Sequence, residues 1–76
     1  MTRKEAFDAR KMYVREINKI AKEEKVEILE GWVGDTVANI MATTTSRKTV
    51  KKVLNYYCHY VQLCFRIEHQ VWEEEE

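Results

Sequence analysis

"RKTVKKVLNYYCHYVQLCFRIEHQVWEE", residues 47–74, is the stretch on which the fold turns. It holds neither proline nor glycine, so nothing in it breaks a helix. Val50, Val53, Leu54, Tyr57, Val61, Cys64, Phe65 and Val71 recur at helical spacing and make one long stripe. Tyr56, Tyr60, Leu63 and Ile67 make a second stripe beside it. A helix apolar over so much of its circumference expects neighbours on two or more sides. At about 1.5 Å per residue it is roughly 40 Å long, more than a small compact domain spans.

The chain before it reads the same way. Thr2 with Glu5 three residues on is a capping box, which starts a first helix. Phe7, Val14, Ile17, Ala21 and Ile28 lie close to one face, with Tyr13 and Ile20 beside it. Gly31 is a stop signal, so the spacing predicts one helix over residues 3–30. A rival reading stops it near Glu24 and makes Lys25 to Leu29 a short strand, because Val26 and Ile28 alternate with charges. Residues 31–34 form a turn, and Asp35 is a good N-cap for a short helix to about Ala42, with Val37, Ile40 and Met41 facing inward. The run Thr43, Thr44, Thr45, Ser46 disfavours a helix interior and suits a cap.

The whole chain has 76 residues, no proline and two glycines. It is therefore expected to be a single helical domain, residues 1–76, all-α, with three helices in a long–short–long order. A lone domain of this size buries only about 60% of its unfolded surface. The surplus apolar face is expected to be covered by a second copy, so homo-oligomerisation completes the fold, with Tyr56, Tyr60, Leu63 and Ile67 as the candidate interface. No run approaches the length of a membrane span, and no signal peptide is expected before the first charges. Cys58 and Cys64 share one predicted helix and point to different sides, so they cannot bridge each other. Reduced thiols and a cytoplasmic location are the expectation.

Lys and Arg balance Asp and Glu at 13 each, so no bulk electrostatic grip on nucleic acid or membrane exists. The distribution is uneven, however. Residues 47–56 carry Arg47, Lys48, Lys51 and Lys52 and no acid. Residues 57–76 carry Arg66 against Glu68 and Glu73 to Glu76. Cations at a helix start and anions at its end both oppose the helix dipole. Either a phosphate or an antiparallel copy of the same helix would reverse the mismatch. A phosphate would meet free N–H groups, the hydroxyls of Thr43, Thr44, Thr45 and Ser46, and the four cations.

"TVKKVLN", residues 49–55, resembles the recognition-helix segment of lac-repressor-type regulators, and "VANI", residues 37–40, with Ala42 resembles their first motif helix. The resemblance covers about 20 of the 76 residues, and Ala42 or Thr43 stands where the family's turn glycine would be. It implies a helix-turn-helix whose second helix enters the major groove. Carried over, Thr44, Thr45, Ser46, Arg47 and Lys48 would lie at the groove, and Val50, Val53 and Leu54 in the core.

Other chemistry is not encoded. Cys58, His59, Cys64 and His69 match no common ligand spacing, so no metal and no cofactor are expected. No nucleophile–base spacing or glycine-rich phosphate loop is present, so the chain is expected not to be an enzyme. The aromatic run Tyr56 to Tyr60, with Phe65 and Trp72, would stack bases but at helical spacing fits a core or interface better. The leading expectation is an oligomeric, non-enzymatic protein that binds a phosphate-bearing partner, first among them DNA. The alternatives are a protein–protein inhibitor or adaptor and an oligomer that sequesters a small nucleotide.

Overall fold

A computed structural model describes residues 1–72. Over these residues the chain is all-helical, with α1 at Arg3–Glu23, α2 at Val33–Thr43 and α3 at Arg47–His69. No helix among the described residues is long and apolar enough to cross a membrane. The molecule is a rod of 47 × 21 × 15 Å. Ala6, near the start of α1, packs with Leu63 and Ile67, near the end of α3. Ile17, Ile20 and Ala21, near the end of α1, pack with Val53 of α3 and with Val37 and Ile40 of α2. The two long helices are thus antiparallel, and α2 closes one end.

α1 starts as the capping box predicts. The Glu5 N–H donates to the Thr2 hydroxyl at 3.1 Å, and the Thr2 N–H donates to the Glu5 carboxylate at 3.0 Å. The Thr2 backbone bond, then its hydroxyl, hold the Glu5 carboxyl below the usual carboxylate range.

α1 ends at Glu23, close to the stop near Glu24 of the rival reading and not at residue 30, but residues 25–29 form no strand. The cause is a Schellman turn. The Val26 N–H donates to the Ala21 carbonyl at 2.8 Å and the Lys25 N–H to the Lys22 carbonyl at 3.2 Å. The turn folds Val26 back onto the core at Ile17 to Ala21. Burial of Val26 therefore outweighs continuation of the helix. The turn needs a left-handed residue, and Lys25 takes it with φ 56°.

α2 begins at Val33, two residues before the expected cap, and Asp35 lies in its first turn. Buried Thr36 explains the shift. Its hydroxyl donates to the Trp32 carbonyl at 3.3 Å and accepts from the Leu29 N–H at 3.0 Å, pinning the loop to the helix. Gly34 permits close packing, because a Cβ there would stand 2.9 Å from the Tyr57 hydroxyl. α3 ends at His69, short of the expected Glu74. Gln70 turns to extended geometry, which brings Trp72 back to bury against Ala6, Leu63 and Ile67. With the helix ending there, its last turn carries Arg66 and His69, which suit the dipole. Glu68, in the same turn, opposes the dipole but lies 3.7 Å from His69, so the larger unfavourable charge is at the start of α3.

A left-handed lysine is strained by roughly 1–2 kcal/mol, part of which a glycine gives back as chain entropy. Lys25→Gly is expected to raise stability by about 1 kcal/mol in chemical denaturation. Ile40→Ala, at a fully buried site, is expected to cost about 2–5 kcal/mol. An unchanged or lowered midpoint for Lys25→Gly would remove the Schellman account of the α1 terminus.

Candidate nucleic-acid interface

The corner between α2 and α3 spans residues 44–46. Thr43 is the exposed last residue of α2, and Thr45 is exposed. Thr44 is committed to structure. Its hydroxyl donates to the Glu24 carboxylate at 3.0 Å and accepts from the Ser46 N–H at 3.2 Å, which ties the corner to the end of α1. Ser46 is the N-cap of α3, accepting from the Thr49 N–H at 3.2 Å. Among the described residues the N–H groups of Arg47 and Lys48 make no backbone hydrogen bond, as the first residues of a helix do not.

Arg47, Lys48, Lys51 and Lys52 are all exposed, and among the described residues no ion pair involves any of them. The suggested pairing of these cations with Glu73 to Glu76 lies outside the described residues. The first turn of α3 contains no acid, so the helix dipole and the cations add to one positive field.

Lys48 and Lys52 also open a longer row. In steps of four and three residues, Asn55, His59, Gln62 and Arg66 follow on the same face. All are exposed except half-buried Arg66. No carboxylate interrupts the row, and every member is able to donate a hydrogen bond. Its far end is held by the chain itself. His59 stacks on Tyr13 at 5.3 Å, and the Arg66 guanidinium bonds Gln70 at 2.9 Å and lies over Trp72. The free part is Lys48 to Asn55 together with Gln62. Sequence reading missed Asn55 and Gln62, although the absence of any acid at the six positions was visible there.

The other candidates divide. Val53 is buried and Val50 half-buried, while Leu54, which the resemblance assigns to the core, is exposed. Leu63 and Ile67 are buried inside the chain, and Tyr56 and Tyr60 are half-buried against it. Tyr56 lies 5.9 Å from Tyr13, and Tyr60 lies 6.0 Å from Tyr57. Trp72 is buried, while Phe65 is 64% exposed with its ring 4.5 Å from that of His69. Cys58 and Cys64 are both free thiols. Among the described residues no three metal-ligating side chains converge.

A separate open recess of about 540 Å³ is lined by Arg10, Lys11, Val14, Arg15, Gly31, Val33 and Tyr60, none of which belongs to the α3 row. Arg10 is already engaged, with its guanidinium 4.9 Å from the Phe7 ring and 3.9 Å from the Cys64 sulfur.

Comparison with known proteins returns no matching family model, no matching curated protein and no matching solved structure.

Burial, then the hydrogen bond and charge of Cys64, push the Tyr60 phenol above its ordinary value of 10.0, against the opposing pull of Arg10. The folded state thus holds this proton more tightly than the unfolded chain does. Its contribution to stability is complete below pH 10.0 and is lost as pH rises through the raised value. Denaturation series at pH 8 to 11 or so should show stability falling at the alkaline end. Tyr60→Phe is expected to fall less steeply, and equal slopes would refute the assignment.

Proposed function

We propose that this chain is a non-enzymatic DNA-binding protein that acts as a homo-oligomer and lays the first three turns of α3 against duplex DNA. The observation that carries this is the unpaired donor row of Lys48, Lys52 and Asn55, next to Arg47 and Lys51, on a helix start that faces solvent beyond a three-residue corner. Phosphates take the cations and the free N–H groups at the helix start, which fixes orientation without reading sequence. Asn55 sits one turn further in. An asparagine there is suited to bidentate pairing with adenine in the major groove. Thr44 serves this arrangement indirectly by fixing the corner to α1.

Net charge is zero, so affinity has to come from these local contacts and not from long-range attraction. A helix-turn-helix reading fits the order short helix, corner, exposed helix start. Oligomerisation fits the exposed apolar residues Val61 and Phe65 that remain after α1 has covered the other side of α3.

The Lys48→Gln, Lys52→Gln double variant is expected to fold normally by circular dichroism and to bind duplex DNA more weakly. The slope of log affinity against log salt should fall by about one per lost phosphate contact. Asn55→Ala should cost about 1–3 kcal/mol of discrimination at one base pair with little change in slope. If the wild-type chain binds no duplex even at low salt, the proposal is wrong.

A further inference from the structure

α3 exposes Lys51, Leu54, Cys58, Val61, Phe65 and Glu68. The steps between them alternate between three and four residues, which is the spacing of a coiled-coil seam. On a helix this row lies roughly opposite Val53, Leu63 and Ile67, the residues buried toward α1. Val61 is 46% exposed and Phe65 64%; among the described residues Phe65 and Glu68 meet only the neighbouring His69, at 4.5 Å and 3.7 Å, and neither core cluster includes a member of the row. The row is also a palindrome in character. Counted from its midpoint, Leu54 stands opposite Phe65, Cys58 opposite Val61, and the cation Lys51 opposite the anion Glu68.

We propose that α3 pairs with α3 of a second copy in an antiparallel seam, with Leu54 facing the partner's Phe65, Cys58 facing the partner's Val61 and Lys51 facing the partner's Glu68. Charge fixes the direction. A parallel seam would set Lys51 on Lys51 and Glu68 on Glu68, two like-charge contacts, while the antiparallel seam makes two attractive ones. Self-complementarity fixes the occupant. One row supplies both halves of every contact, as a two-fold interface between identical chains requires.

The pairing deepens the oligomeric part of the function proposed above and does not depend on DNA binding. It nevertheless bears on it. The Lys48, Lys52 and Asn55 row lies about a quarter turn from the seam. The two-fold axis runs perpendicular to the plane of the helix pair, so it keeps both such rows on one side of the dimer. The two Lys48 positions come to lie about 35 Å apart along the pair. That is close to one turn of B-DNA, about 34–36 Å, the separation at which dimeric helix-turn-helix proteins read two half-sites.

The test is site-directed cross-linking in the full chain carrying Cys58→Ser and Cys64→Ser. Leu54→Cys and Phe65→Cys are introduced singly and together, and mild oxidation is read on non-reducing gels. The double variant is expected to give a covalent dimer and the single variants little. The two positions are about 16 Å apart on one helix, so a bond within a chain is excluded. Strong cross-linking by a single variant, or none by the double variant, overturns the antiparallel seam. With the native thiols retained, Lys51→Glu should raise the dimer dissociation constant about tenfold in sedimentation equilibrium, and adding Glu68→Lys should restore it. Failure of the second change to rescue the first overturns the register. A wild-type chain that stays monomeric to high micromolar concentration removes self-association and the seam together. A dimer with the expected cross-link that binds no DNA removes only the DNA reading.

Discussion

A helix buries only the side that another element covers, and among the described residues α1 is the one element long enough to cover α3. Their antiparallel contact, from Ala6 against Leu63 and Ile67 at one end to Ile17 and Ala21 against Val53 at the other, fixes the rotation of α3 about its own axis. Once that rotation is set, the remaining faces follow from the helical period. The donor row from Lys48 to Arg66 falls on one flank, and the row from Lys51 to Glu68 falls on the side away from α1. α2 is too short to alter this. It seals the end where α1 stops, with Val37 and Ile40 completing the core and Thr36 holding the loop that leads into it.

The helical class and the order of the three helices were legible because long apolar periodicity without proline leaves few alternatives. The α1 start was legible for the same kind of reason, since a capping box is a local motif. The end of α3 was not, and that of α1 was legible only as one of two readings. Both are decided by a residue beyond the helix that returns to the core, Val26 in one case and Trp72 in the other. Helical spacing shows that such a residue is apolar but not that it gains more by leaving the helix. The left-handed turn at Lys25 was further hidden because no glycine marks it.

The candidate site was legible in part. The charge bias placed Arg47, Lys48, Lys51 and Lys52 at the start of α3, and the structure leaves all four exposed. What spacing alone could not assign was the division of α3 into faces. Two apolar stripes side by side can be rotated toward α1 in more than one way. Packing turned Leu63 and Ile67 inward and left Leu54, Val61 and Phe65 outward. Among the hydroxyl residues of the corner the difference is finer still. Thr44 and Ser46 look alike in sequence, yet one bonds back to Glu24 and the other caps α3.

The zero net charge shapes how such a surface would work. At physiological salt the field of an exposed charge fades over about 8 Å. The acids of α1 and the cations of the α3 start therefore hardly sum with each other, and the cations act as a local patch in spite of the balanced total. Such a patch gains little from steering at a distance and much from contact geometry. The geometry in turn rests on the rigid seating of α3 on α1 and on the tie from Thr44 to Glu24, which keeps the helix start from fraying. Disturbing the core would thus misplace cations that themselves remain charged and exposed, and weaken the proposed binding. The core and the candidate surface are in this sense one device, because the same helix carries both on neighbouring sides.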